Sequence, residues 1–216
     1  MDVASLLKQF FPKTETITID VFDAKNIYDV YHRIVGVLTQ HIDIETTVLQ
    51  AMSYCFYEVL DNVLTHSGKE LGTVITNYNA EKHLLDFLVA DDGKGVKESL
   101  AENEEYAAIS EAEALTKCIQ DSVTDGKGMG FGLYSTSLLA RDAGVRFEIY
   151  SGTHKLVYRD NAFSIEEAPL WQGTVVFMEI TTNKEIDPKE VVANRTDCAT
   201  QYNELFLNDT ELEQLW

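Results

Sequence analysis

The stretch 126-GKGMGFGLYSTSLLARDAG-144 sets glycine at every second position from Gly126 to Gly132 and runs directly into a segment with helical patterning. Alternate glycines leave backbone N–H groups bare, and a helix N-terminus adds the positive end of its dipole, so the combination suits an anion such as phosphate. Spacing tests two familiar phosphate loops. A P-loop requires Ser or Thr after its Gly-Lys, and Gly128 stands there. A dinucleotide fingerprint requires GxGxxG after a strand. Here Phe131 or Leu133 falls on its third glycine, and 115-LTKCIQDSVTD-125 lacks strand patterning. Both loops fail, so the ligand must be read from elsewhere in the chain.

Upstream, 89-VADDGKGV-96 ends an apolar run and sets Asp91 before a Gly-x-Gly turn. An Asp there suits an exocyclic amine donor in a pocket left open by the glycines; a plain turn uses the same residues. Farther upstream, 57-YEVLDNVLTHSG-68 closes a helix expected from about Glu45 to His66. Val48, Leu49, Met52, Phe56, Val59, Leu60 and Val63 form its apolar stripe. At 100° per residue Glu58, Asn62 and Thr65 project within about 60° of one another on the other side, flanked by Asp61 and His66. That set reads as a solvated face or as a carboxylate and an amide able to hold magnesium and a water.

The periodicity around these motifs predicts a strand over 14–20, a helix from about Asp23 to Gln40, and a hairpin of 72-GTVITNYN-79 and 83-HLLDFLVA-90. From Lys97 to about Thr124 the chain is acidic and helix-prone, a solvated excursion or a lid. After the helix that begins near Leu133, strands are expected at 145–150, 154–159 and 173–180, with a turn-rich insert over 160–172. Helices first and strands later favour an α+β fold: a two-layer sandwich of a mixed, largely antiparallel sheet with helices on one face. The acidic extension 181–216 reads as a docked helix or a partner-binding tail.

Composition bounds the rest. At 216 residues, 45% of them hydrophobic, the chain can bury a sizeable core. Its formal charge of -19 repels a phosphate backbone, which argues against nucleic acid. No apolar run reaches the length of a membrane span and no signal peptide pattern opens the chain, so the expectation is cytoplasmic with no membrane partner. Cys55, Cys118 and Cys198 are odd in number and unpaired in spacing, hence reduced bystanders. The glycosylation-like tripeptides at Asn194 and Asn208 are expected to be chance.

Together the three motifs resemble the GHKL ATPases, the superfamily of DNA gyrase, a heat-shock chaperone, sensor histidine kinases and mismatch-repair ATPases. The helix carrying Glu58 and Asn62 resembles the N box, 91-DDGKG-95 the DxGxG box and 128-GMGFGL-133 the second glycine box, while Gly173-Thr174 matches a late Gly-Thr. The likeness covers about residues 15–180 and implies an ATP-binding domain over 1–180 with a Bergerat-type fold and an ATP lid at about 97–127. It implies that Asn62 coordinates Mg2+, that Asp91 receives the adenine amino group with Thr174 in support, and that Gly95, with Gly93 in the same box, leaves room for the base. Gly126, Lys127, Gly128, Met129, Gly130, Phe131, Gly132 and Leu133 would wrap the phosphates. Glu58 matches the general base of the hydrolysing and serine-kinase branches. His66 matches a histidine of the histidine-kinase branch, and is equally a helix-end residue.

The chain lacks a phospho-accepting hairpin: His32 is followed by Arg33 and His41 by Ile42, with no nearby Pro. Its compact form looks more like the stand-alone anti-sigma-factor serine kinases. That likeness implies ATP or ADP as ligand, phosphoryl transfer to a serine of a STAS-like partner or slow ATP hydrolysis, and allows a homodimer. The alternative is a non-catalytic module in which nucleotide orders the lid and switches a partner surface.

Overall fold

The computed structural model describes residues 3–12, 17–40 and 44–191. Five strands form one open sheet in the order β1-β2-β3-β5-β4: β1 Thr18–Phe22, β2 Gly72–Asn79, β3 Leu84–Ala90, β4 Gly144–Arg159 and β5 Ala162–Thr181. Every pairing is antiparallel, so the expected mixed sheet is corrected to an antiparallel one. The α+β expectation holds.

Three helices cover the front of the sheet: α2 Ile27–Thr39, α3 Thr46–His66 and α6 Gly132–Asp142. The seven stripe residues of α3 are all buried, as the 3.6-residue period requires. Phe56 from that stripe stacks on Phe87 of β3 at 3.9 Å between ring centroids, and both are fully buried. Truncating either to Ala would cost roughly 3–5 kcal/mol.

Helices on one face only is the second expectation to be corrected. A short helix, α1 Val3–Phe10, packs Leu6, Phe10 and the following Phe11 on the back of the sheet against Ile75, Leu88, Tyr150, Trp171 and Phe177. Cross-strand partners such as Ile75, Leu88 and Phe177 share one face, whereas Val74, Val89 and Val176 share the other. The central strands are therefore apolar on both faces, which gives α1 its seat.

The three strands expected after α6 are two. VRFEIY and HKLVYR belong to β4, and the supposed insert 160–172 is mostly the first half of β5, turned back at Asp160 and Asn161, both at positive φ. The acidic excursion contains α4 Val96–Leu100, a 3-10 turn at Glu104–Tyr106 and α5 Glu111–Lys117, the last begun by a Ser110/Glu113 capping box. Beyond β5 a single turn of helix, α7 Pro188–Val191, buries Val191 against α3 and α6. The tail from 192 onward, with Cys198, Asn194 and Asn208, lies outside the described residues, as does the start of the 14–20 strand. Cys55 and Cys118 are buried free thiols. Among the described residues no helix is long and apolar enough to cross a membrane.

Candidate functional site

The last two turns of α3, the end of β3, the start of α4 and the glycine segment before α6 converge on a cavity of about 450 Å³. α3 presents Glu58, Asn62 and His66 to it, because the apolar stripe fixes which side of the helix faces the sheet. The first turn of α6 arrives directly against that polar side. A Cβ on Gly132 would lie 2.8 Å from Glu58 Oε2 and 3.2 Å from Asn62 Nδ2, so any side chain there would have to push the Glu58 carboxylate aside. Lys127, Gly128, Met129, Gly130, Phe131 and Leu133 line the same cavity, with Met129 62% exposed at its rim.

Strand ends supply a different wall. β3 stops at Ala90, and Asp91 follows with its N–H donated to Thr174 O at 2.9 Å; Asp91, Gly95 and Thr174 all line the cavity. The Asp91 side chain accepts the Gly93 N–H on Oδ1 at 2.8 Å. Burial pushes its carboxyl up to about 6, and the hydrogen bonds from the Gly93 and Thr174 backbones offset only part of that. A carboxylate held near its own ionisation point inside a cavity is poised to take a hydrogen-bond donor.

Two expected site residues stand outside the cavity wall. Gly93 packs against the end of α3, where a Cβ would lie 2.2 Å from Ser67 O, while the neighbouring Lys94 N–H donates to that same carbonyl. It fastens the loop to the helix. Gly126 adopts φ +96 at the start of the glycine segment, where a Cβ would meet nothing within 4 Å among the described residues, and its N–H donates to Thr124 Oγ1 at 3.1 Å.

Asp125 is the residue the sequence did not single out. Its side chain is 1% exposed; Oδ2 meets His66 Nδ1 at 2.7 Å and accepts from Ser99 Oγ at 2.9 Å, while Oδ1 accepts the Lys127 N–H at 3.0 Å. Burial alone would raise this carboxyl, but the bonds from Lys127, His66 and Ser99 outweigh it and hold it below the usual range. Asp125 thus ties the far end of the 97–124 segment to α3 and α4. The only sequence signal was an acid immediately before the glycines.

The same segment is held at two further points. Glu102 pairs with Lys127 at 2.7 Å and with Lys94. At the start of α5, Glu111 Oε2 accepts from Thr153 N at 2.9 Å and Thr153 Oγ1 at 2.7 Å, and meets His154 Nδ1 at 3.0 Å. These contacts hold its carboxyl down to about 2.

Chemically, the cavity joins an anion-friendly helix start and a lysine to a carboxylate–amide pair on α3 and a buried acceptor at Asp91. A scan of the sequence against models of known protein families finds no match, and a search of curated proteins finds no significant relative.

Proposed function

We propose that the chain is an ATP- and magnesium-binding domain of the GHKL type, with a Bergerat-type arrangement of its sheet and helices, acting as a cytoplasmic regulatory kinase of a partner serine or as a slow ATPase. The observation that carries this reading is the convergence on one cavity of Glu58 and Asn62, Asp91, the glycine segment and Thr174, pieces far apart in the chain. The volume, about 450 Å³, falls within the range of small-molecule and cofactor sites.

On this reading Asp91 accepts the adenine amino group, and the α6 N-terminus with Lys127 meets the phosphates. Among the described residues no cluster of three or more His, Cys, Asp or Glu forms a metal cage. Magnesium does not need one, since it is commonly held by one or two protein oxygens together with substrate phosphates and water. The Asn62 amide oxygen fits that need. Bound magnesium would neutralise charge on the phosphates. Glu58, beside Gly132 at the phosphate end, takes the proton from the attacking hydroxyl or water.

A nucleotide-switched interaction module is the second reading. It is favoured by the pairing of Lys94 and Lys127 with Glu102, an internal anion for which nucleotide phosphate would compete. Labelled ATP separates the two. Mixed with proteins encoded beside it, the kinase moves label to a partner serine, and Glu58→Gln abolishes transfer while keeping ATP affinity. Binding without turnover in any mixture leaves the switch. Asn62→Ala should weaken binding only when magnesium is present, and unchanged affinity would overturn the site.

A further inference from the structure

Behind the Asp91 loop, β5 breaks its register with β4. Thr174 pairs with Ser151 but Trp171 pairs with Gly152, so Gln172 and Gly173 are extra residues on β5. Among the described residues this bulge has no partner strand on its other side, because β3 pairs with β5 over Val175 to Thr181. Bulges re-aim side chains, and this one aims three groups at a single loop. Trp171 Nε1 donates to Asp91 O at 2.9 Å, and Gln172 Nε2 donates to Gly93 O at 2.7 Å. Gly173, at φ +96, lies so close that a Cβ would sit 2.4 Å from Asp91 O. From β4, Ser151 Oγ accepts the Val96 N–H at 2.8 Å and donates to Gly173 O at 3.1 Å.

The Trp171 ring, 6% exposed, belongs to the back layer of the sheet together with α1. There Phe10 stacks on Phe177 at 4.6 Å and meets Tyr150 edge-on at 5.7 Å, and Gln9 Nε2 donates to the Tyr150 hydroxyl at 2.7 Å. The indole therefore has its ring among the residues that seat α1 and its N–H on the carbonyl of the residue whose carboxylate faces the cavity. The Asp91 carbonyl is a buried acceptor. Without the indole donor, the following peptide loses its main restraint from behind and the carboxylate loses its aim.

We propose that Trp171 is a positioning residue for base recognition by Asp91, and that α1, seated on the opposite face of the sheet, sets base selectivity through it. The inference rests on the nucleotide reading above. Trp171 and α1 act on the purine's exocyclic amine alone. They leave phosphate and magnesium contacts unchanged.

The test compares ATP with inosine triphosphate, which carries a carbonyl in place of the adenine amine, by equilibrium binding to the full chain. Wild type should prefer ATP. Trp171→Phe, which keeps an aromatic ring and removes the N–H, should reduce that preference about tenfold by weakening ATP and sparing inosine triphosphate, with magnesium dependence unchanged. Phe10→Ala should lower the preference in the same direction by a smaller factor. Gln172→Leu, at an exposed position outside the aromatic core, repeats the test should Trp171→Phe fail to fold. A preference for ATP that survives in Trp171→Phe, or in Gln172→Leu in its place, overturns the positioning role; survival in Phe10→Ala alone overturns the part given to α1. Wild type that binds neither triphosphate overturns the nucleotide reading itself.

Discussion

Asp91 offers a test in which stability and function move in opposite directions. Asp91 is 7% exposed, and burial pushes its carboxyl up to about 6, well above its ordinary value. At pH 8 the folded chain therefore carries an ionised group it would rather protonate, a penalty of up to about 3 kcal/mol. Asp91→Asn keeps the shape and an oxygen for the Gly93 N–H but removes the charge. The amide nitrogen cannot accept the second backbone N–H, from Thr174, which returns roughly 1 kcal/mol. The nucleotide-free variant should be more stable by about 1–2 kcal/mol, a rise in Tm of about 2–8 °C for a chain of this size. Its ATP affinity should fall about 10- to 100-fold, because the amide turns a donor toward the adenine amine and the charge-assisted bond is lost.

Calorimetry without nucleotide and titration with ATP measure the two effects. The pH dependence has a fixed sign. A raised folded-state value means that the folded chain binds more protons than the unfolded one between about 4 and 6. The advantage of Asp91→Asn should be full above pH 6, shrink through that window and vanish below about 4. A variant with lower Tm at pH 8 would show the carboxylate to be a structural turn residue, and unchanged ATP affinity would remove Asp91 from base recognition.

Three further variants probe other parts of the site. Gly132→Ala should leave Tm near wild type, since Ala suits a helix, yet its Cβ displaces Glu58 Oε2 at 2.8 Å; turnover should fall at least tenfold, and normal turnover would refute the role given to Glu58. Glu102→Gln should release Lys94 and Lys127 and tighten ATP binding several-fold at low salt, an effect that 0.5 M salt should erase. Glu111→Gln should speed hydrogen exchange in α5. Because the Glu111 carboxyl is held down to about 2, its contribution persists below the ordinary glutamate range and is lost only toward pH 2, so a wild-type advantage that disappears by pH 4 would refute this anchor.

The legible parts of the sequence were those where one face is wet and the other dry. α3 showed its stripe because its final two turns border a cavity, and β2 and β3 were bounded by turn residues. α1 escaped because eight residues with two buried anchors, Leu6 and Phe10, carry too little period, and a helix so short depends on its tertiary seat. The first half of β5 read as turns because Glu166, Glu167 and Pro169 interrupt it. Pro169 is tolerated because, among the described residues, that half pairs with β4 alone and leaves its other edge without a strand. Asp125 and Trp171 escaped for another reason: each acts through a contact at long range, 59 and 80 residues away, which no local spacing encodes.

The two layers divide the proposed site by chemistry. Glu58 and Asn62 stand on α3 against the start of α6, all in the front layer, where the proposed function puts phosphate charge and metal. Asp91 is fixed instead by β5 and the aromatic back layer, to which the proposal assigns the base alone. Front-layer variants should then change the ranking of ATP, ADP and AMP and the magnesium dependence, and back-layer variants the ranking of purines at constant phosphate number. Since the Gly132 contact and the Trp171 bond share no side chain, their effects should add within about 0.5 kcal/mol in the double variant Gly132→Ala with Trp171→Phe. Coupling well above that would mean that the front helices and the Asp91 loop move as one body, and the division into a phosphate side and a base side would fall.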